Sequence, residues 1–187
     1  MLDAATLQTL CKRLTASDRS AFEDLFRLTR TPLLRYVCSI VRDNELAHDL
    51  VQDVFVMLWG LREGLDPSQP LKPYLYRMAR NRALRHLRDS RTHARKEAEL
   101  GATMPTMTET SADDDHDTDL MKRQLHQWIK ALPDRQREAL TLSRFHYLSH
   151  REIGALMGIS PRTVNNHIIR ALDALQQRAE HFAAAYS

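Results

Sequence analysis

The segment SHREIGALMGISPRTVNNHIIRALDALQQ, residues 149–177, predicts two helices separated by a short turn. Ser149 and Glu152 have the spacing of a capping box at the start of the first helix. Gly158 is expected to end that helix, and Ser160 and Pro161 suit the cap and first position of the next one. A helix, a glycine-containing turn and a second helix form the sequence pattern of a helix-turn-helix.

The second of these helices has one apolar and one polar side. When residues are placed about 100° apart, the side expected to be buried contains Val164, Ile168, Ala171, Leu172 and Leu175. The first half of a recognition helix contacts base edges in the major groove, where Arg pairs with guanine and Asn with adenine. The candidate DNA contacts are therefore Arg162, Thr163, Asn165, Asn166 and Arg170, with Thr163 suited to a phosphate. The alternative is an amphipathic hairpin that binds nothing.

A second cationic helix is predicted from about Pro73 to about residue 95. Residues 77–96 contain eight Arg or Lys and one acid, Asp89. The helical wheel places most of the cations and one amide on one side: Arg77, Arg80, Asn81, Arg85, Arg88, Arg91 and Arg95. We call this set the arginine stripe. Arg82 falls on the apolar side, where Tyr76 is expected to join the core.

The arginine stripe is suited to a polyanion. Cations that neutralise phosphates release counterions, so the affinity is expected to be strong and sensitive to salt. Tyr74 can stack on a base that has left the duplex, and Asn81 can pair with a base edge. These neighbours favour opened nucleic acid as the ligand. The alternative is a solvated helix face.

The segments before the cationic helix predict three further helices. They cover residues 3–14, residues from Ser20 through a possible break at Pro32, and a stretch from Ala47 to Gly60. Residues 60–73 read as a loop. On the third helix, Asp49, Gln52 and Asp53 share one side, which we call the acidic face. It is either a docking surface for a basic partner helix or an ordinary solvated surface.

Composition limits the fold class and the compartment. With 187 residues, 43% hydrophobic, and five glycines, the sequence favours helices. We predict an all-α chain of two small helical domains, residues 1–96 and 119–187, joined by a flexible acidic linker at 97–118. We predict a cytoplasmic protein from three features of the sequence. It has only two cysteines, it lacks a metal-ligand or catalytic motif, and it has no apolar run of about 18 residues. We expect no cofactor, no metal, no enzymatic activity and no membrane insertion.

Three segments together resemble bacterial sigma factors of the extracytoplasmic-function type. They are AFEDLFRLTRTPLLRYVCSIVRDNELAHDLVQDVFVMLW from residue 21, PYLYRMARNRALRHLR from residue 73, and LPDRQREALTLSRFHYLSHREIGALMGISPRTVNNHIIRALDAL from residue 132. The resemblance covers nearly the whole chain outside the linker. The chain departs from the family in having Tyr74 where Trp is usual, Arg85 where an acid is frequent, and Gly154 where Ala is usual.

The resemblance implies roles for these residues. Asp49, Leu50, Gln52 and Asp53 would contact the clamp helices of the RNA polymerase β′ subunit. The −10 element, with its strand opened and a base flipped out, would be held by residues 61–73 and by Tyr74, Arg77, Arg80, Asn81, Arg85 and Arg88. The recognition helix would read the −35 element, and the linker would enter the polymerase channel. The implied partners are core polymerase, including β, promoter DNA and an anti-sigma factor.

Two other functions remain open from the residues alone. A conventional regulator that binds duplex DNA as a dimer would explain TVNNH at residues 163–167, but not the arginine stripe or the acidic face. An RNA-binding protein would use the arginine stripe but would leave the helix-turn-helix without a role.

Overall fold

The computed structural model describes residues 4–99 and 119–185. The chain divides into two compact units, Met1–Thr110 and Ser111–Ser187. Regular structure in the described ranges consists of eight α-helices and one 3-10 turn, without strands, which confirms the predicted all-α class. None of the helices in these ranges combines the length and apolar character needed to cross a membrane. The predicted linker lies outside the described residues, apart from its first three.

The first unit contains four helices and a short turn. They are α1 (Ala4–Thr15), α2 (Arg19–Val41), α3 (Asn44–Gly60), the 3-10 turn Arg62–Gly64, and α4 (Leu71–Glu99). Helix α2 lies at the centre, because it packs against α1, α3 and α4. An aromatic cluster joins α2 to α3, with the ring centroids of Phe26 and Phe55 4.7 Å apart and those of Phe22 and Trp59 5.1 Å apart.

Aspartate caps decide where α2 and α3 begin. The Asp18 carboxylate accepts a hydrogen bond from the Ala21 N–H at 3.2 Å, and the Asp43 carboxylate accepts one from the Leu46 N–H at 3.0 Å. Each bond satisfies an N–H that has no partner within the helix. Pro32, a possible break or kink from the sequence, lies inside α2, which continues to Val41. The carbonyl that loses its partner belongs to Leu28, which lies on the exposed side of α2.

The cationic helix, α4, is longer than predicted at both ends. It begins at Leu71, which makes Pro73 its third residue, where a missing N–H costs nothing because the first turn has no internal acceptors. It continues to Glu99, so residues 97–99 are helical rather than part of the linker. Tyr76 lies in the core, as predicted, with its ring centroid 5.2 Å from that of Tyr36. Burial raises the pKa of the Tyr76 hydroxyl well above its ordinary value.

The second unit contains the four helices that the sequence predicts between residues 120 and 185. They are α5 (Asp119–Lys130), α6 (Asp134–Arg144), α7 (His150–Met157) and α8 (Pro161–Ala185). Helix α8 packs against each of the other three. Arg137 is buried and donates to the carbonyls of Lys130 and Leu132, at 3.2 and 3.1 Å, so it closes the end of α5.

The helix-turn-helix has the predicted caps. Ser149 and Glu152 form a complete capping box, and Gly158 ends α7 with a φ of 68°. Because this backbone conformation suits glycine, α7 ends where the sequence indicates. The Thr163 N–H donates to the Ser160 hydroxyl at 3.0 Å, which caps α8. The turn lies so close to α7 that a Cβ on Gly154 would be 2.7 Å from the Ile159 carbonyl oxygen.

Candidate nucleic-acid and partner interfaces

The arginine stripe lies on the solvent side of α4. Arg77, Asn81, Arg85 and Arg88 are exposed, as are Arg91 and Arg95, and Arg80 is half-buried. The opposite side of the helix is buried in the first unit through Leu75, Tyr76, Met78, Ala79 and Ala83. The core therefore holds α4 in the orientation that presents the stripe outward, as the helical wheel predicts.

One end of the arginine stripe combines an aromatic ring, a cation and an amide. Tyr74, Arg77 and Asn81 follow one another at i, i+3 and i+7, so they lie on one side over two turns. The Arg77 guanidinium carbon is 5.5 Å from the centroid of the Tyr74 ring, which is half-buried. The positive charge and the ring can therefore contact the same nucleotide, the first at phosphate and the second by stacking.

The loop before α4 is fixed by local hydrogen bonds. Arg62 donates to the Trp59 carbonyl at 2.9 Å and to the Ser17 hydroxyl at 2.8 Å, and its guanidinium carbon lies 4.5 Å from the Trp59 ring centroid. The Asp66 carboxylate accepts a 2.9 Å bond from the Ser68 N–H. Hydrogen bonds from Ser68, the larger effect from its hydroxyl and the smaller from its backbone, lower the pKa of Asp66.

The acidic face lies on the exposed side of α3. Asp49 and Gln52 are exposed, and Asp53 is half-buried. Leu50, which the family resemblance groups with them, is 2% exposed and packs in the core. It cannot offer its side chain to a partner while the first unit is folded, so it supports the acidic face from beneath.

An apolar residue that the sequence analysis did not identify extends the acidic face. Val56 lies at i+4 from Gln52 and i+3 from Asp53, and its side chain is 72% exposed. A valine usually turns inward on a helix of this kind, where Val51 and Val54 are buried. The sequence signal was the position of Val56 outside the i, i+3, i+4 apolar pattern.

An ion pair joins the acidic face to the cationic helix. Arg82 of α4 donates from Nε to the Asp53 Oδ2 atom at 2.9 Å and from a terminal nitrogen to the same oxygen at 2.5 Å. The two side chains are 37% and 47% exposed. One feature of the sequence indicated this ion pair, the position of Arg82 on the apolar side of the helical wheel. An arginine on the side of a helix that faces the core needs an acidic partner.

The recognition helix presents the predicted DNA contacts. Arg162, Asn166 and Arg170 are exposed, whereas Thr163 and Asn165 are half-buried. The Thr163 and Ser160 hydroxyls are 2.8 Å apart, so Thr163 also belongs to the cap of α8. Val164, Ile168 and Ala171 are buried as predicted, but Leu172 is 38% exposed, which corrects its assignment to the buried side. Leu172 lies about 80° from Val164 on the wheel, at the margin of the packed surface.

Both units are similar in sequence to known protein families. The chain matches two families, Sigma-70 region 2 over residues 25–93 and Sigma-70, region 4 over residues 122–175. It is 31% identical to the RNA polymerase sigma factor CarQ of Myxococcus xanthus, over 85% of this chain and 89% of that protein. It is 26% identical to the ECF RNA polymerase sigma factor SigM of Bacillus subtilis, over 82% of this chain and 92% of SigM.

Two solved structures share the fold. CnrH, solved in complex with the cytosolic domain of CnrY, has a TM-score of 0.67 at 20% identity and covers 94% of this chain and 98% of its own. The sigma factor RpoE was solved in complex with the anti-sigma factor NepR from Bartonella quintana. It has a TM-score of 0.69 at 22% identity, and the match covers 85% of this chain and 96% of RpoE. The fold is thus that of a sigma factor.

The two family matches lie on the two units that carry the arginine stripe and the helix-turn-helix. Neither a dimeric duplex-binding regulator nor an RNA-binding protein accounts for both. The chain belongs to the extracytoplasmic-function group of bacterial RNA polymerase sigma factors. Its function is promoter-specific initiation of transcription with RNA polymerase.

Proposed function

We propose that the two units recognise different states of promoter DNA and that the acidic face joins the chain to core polymerase. The first unit captures the opened strand of the −10 element, and the second unit reads the −35 element as duplex. The chain acts by binding and not by catalysis. It works in the cytoplasm, where its polymerase and promoter are, and the residues between α4 and α5 connect the two units.

The opened strand is held by the exposed side of α4 and the loop before it. The residues in this role are Tyr74, Arg77, Arg80, Asn81, Arg85 and Arg88. Unpairing a base costs a few kcal/mol, and stacking on an aromatic ring returns about 1–3 kcal/mol per base. The Tyr74 ring and the Asn81 amide act on the freed base, and the arginines contact the phosphates on either side of it.

The −35 duplex is read by the first half of α8. Arg162, Asn166 and Arg170 contact base edges, Asn165 lies at the margin, and Thr163 lies beside the unpaired N–H groups at the start of the helix, where a phosphate binds favourably. The exposure of Arg162, Asn166 and Arg170, on the side opposite buried Val164 and Ile168, supports this assignment.

The partner of the acidic face is the clamp-helix region of the β′ subunit, with β also present in the complex. Asp49, Gln52 and Asp53 offer carboxylate and amide oxygens, which fit a partner helix rich in Arg or Lys. Val56 adds an apolar contact one turn further along, where a partner side chain can exclude water. Leu50 keeps the backbone of this face in place from the core.

A second protein partner is an anti-sigma factor. Solved sigma factor RpoE, which shares the fold of this chain, was crystallised with the anti-sigma factor NepR. Such a partner would control when this chain becomes available to polymerase.

The observation that carries the proposal is the separation of charge within the first unit. The arginine stripe of α4 and the acidic face of α3 are both exposed and have opposite sign, so one folded unit can bind DNA and a basic protein surface at once.

Charge reversal tests the acidic face. We expect Asp49→Arg to abolish co-purification with core polymerase, because it removes an exposed carboxylate from the acidic face and sets a positive charge against a basic partner surface. Glu23→Arg is the matched control, since Glu23 is an exposed acid on α2, and it should leave co-purification intact. Retained binding by Asp49→Arg would refute this docking surface.

A further inference from the structure

We propose that Arg82, although it belongs to the cationic DNA-binding helix, serves the polymerase-docking surface. Its role is to hold the Asp53 carboxylate in the orientation that receives polymerase. This inference rests on the proposed function of the acidic face. It makes Arg82 a positioning residue for core binding, which the arginine stripe and the proposed DNA contacts do not include.

The geometry of the pair supports this role. The two donors of Arg82 converge on Oδ2 of Asp53, at 2.9 Å from Nε and 2.5 Å from the terminal nitrogen. Within the described residues these bonds engage a single carboxylate oxygen, which leaves Oδ1 for a donor on another molecule. Two charge-assisted bonds hold Oδ2 more strongly than a single bond would, and so restrict the side-chain torsions of Asp53.

The charge of Arg82 is already paired with that of Asp53 in the free chain. Arg85, one turn further along α4, is exposed and lies in the arginine stripe, whereas Arg82 lies outside it and its charge is compensated by Asp53. Phosphate binding draws on uncompensated cations, since these are the ones that displace counterions. Arg85 is therefore the DNA-facing member of this pair of arginines, and Arg82 the polymerase-facing one.

The pair is a weak candidate for a purely stabilising role. Both side chains are more than a third exposed, and ion pairs in such positions contribute little to folding stability because water screens them. Fixing Asp53 before docking has a larger consequence. Side-chain freedom that is already restricted in the free protein does not have to be lost on binding, so the affinity for a partner rises.

Long-range electrostatics predicts the opposite sign, which makes the proposal testable. Replacing Arg82 by a neutral residue makes the acidic face more negative, so simple charge attraction would strengthen binding to a basic partner. If Arg82 positions Asp53, the same replacement weakens binding. The direction of the change therefore separates the two accounts.

The experiment measures the affinity of the full chain for purified core polymerase in the variants Arg82→Gln, Asp53→Asn and the double variant. We expect Arg82→Gln to weaken binding by roughly threefold to tenfold, the range for one newly ordered side chain. The double variant should be no weaker than Asp53→Asn alone, because both changes remove the same positioned carboxylate. Arg82→Lys, which keeps the charge and one donor, should recover part of the loss.

Arg85→Gln is the matched control on the same helix. We expect it to leave core affinity unchanged and to lower the salt dependence of holoenzyme binding to a premelted promoter by about one counterion. Arg82→Gln should leave that salt dependence unchanged. Thermal unfolding of each variant shows whether the fold is retained. The exchanged pair, Arg82→Asp with Asp53→Arg, restores the ion pair but should not restore core binding.

Three results would overturn the inference. The first is core binding by Arg82→Gln that is unchanged or tighter, and the second is a double variant in which the losses from Arg82→Gln and Asp53→Asn multiply. The third is a salt dependence of promoter binding that falls in Arg82→Gln as it does in Arg85→Gln. Failure of the docking surface itself is a separate outcome, because it is reported by Asp49→Arg, which does not touch the ion pair.

Discussion

In the proposed function, single side chains on α4 and α8 act at separate steps of promoter recognition. Asn81 is exposed on the first unit, and Arg162 is exposed on the second. Because the proposed contacts to opened strand and to duplex lie on different units, changes at these positions should affect different stages of initiation. Each therefore has its own observable consequence.

Replacing Asn81 should impair strand opening. In Asn81→Ala the freed base loses an amide partner, so the open complex is destabilised while upstream duplex binding is retained. Permanganate footprinting of unpaired thymines measures opening, and protection of the −35 region measures upstream binding. Gln8→Ala, which removes an exposed amide from α1, serves as the control. An equal loss of both signals would argue against the assigned role of Asn81.

Replacing Arg162 should relax sequence preference. We expect Arg162→Ala to lose about 1–3 kcal/mol of discrimination at one or two positions of the −35 element, which is the range for one bidentate contact to guanine. Selection from a randomised −35 library by holoenzyme gives the base profile. Gln177→Ala, a polar residue further along α8, should leave the profile as it is. An unchanged profile for Arg162→Ala would mean that another residue reads these bases.

Replacing Val56 tests the proposed apolar contact between α3 and polymerase. Val56→Ser should weaken core affinity by about 1–2 kcal/mol, because less apolar surface is removed from water on docking. The thermal unfolding temperature should change little, since the side chain is 72% exposed in the free chain. Leu28→Ser, at a 42% exposed leucine of α2, is the control. Equal core affinity for the two variants would place Val56 outside the interface.

At this scale, side-chain type and helical spacing predicted the residues that face solvent on α4 and α8. They did not predict Val56 or the Asp53–Arg82 pair. The spacing places Val56 outside the apolar pattern of α3 but does not say what an exposed valine contacts. An ion pair between two helices depends on their packing, which local periodicity does not contain.

Among the elements, helix ends were predictable where a side chain caps the backbone. Ser149, Glu152, Gly158 and Ser160 have the predicted roles in the helix-turn-helix. Pro32 lies inside α2 without ending it, and the Leu28 carbonyl that it leaves without a helical partner is on the exposed side of the helix. The sequence predicted that α4 starts at about Pro73, but the helix starts two residues earlier, at Leu71. A proline is tolerated anywhere in the first turn, so Pro73 does not mark the first residue.

The close approach of the turn to α7 makes Gly154 an element-scale prediction. Gly154→Ala should lower the stability of the helix-turn-helix by about 1–3 kcal/mol, because its Cβ would lie 2.7 Å from a backbone oxygen that must then move. Thermal unfolding monitored by circular dichroism measures the loss. Gly60→Ala is the control, since a Cβ there has no atom within 4 Å. An unfolding temperature for Gly154→Ala at or above that of the unmodified chain would show that the turn adapts freely.

For the whole molecule, DNA binding should depend on polymerase. The proposed DNA contacts lie on two units, each with a small set of polar and cationic residues. Core polymerase would hold both at a fixed separation, which raises the effective concentration of the second contact. We expect weak, salt-sensitive promoter binding by the isolated chain in a gel shift and tight binding by the holoenzyme. Tight sequence-specific binding by the isolated chain would contradict this.

The most direct measurement is transcription in vitro from a cognate promoter by purified core polymerase, with the unmodified chain, with Asp49→Arg, or without either. We predict that initiation occurs with the unmodified chain and is lost in the other two reactions. Equal RNA synthesis in the absence of the chain, or with Asp49→Arg, would contradict the claim that this protein brings polymerase to its promoter through the acidic face.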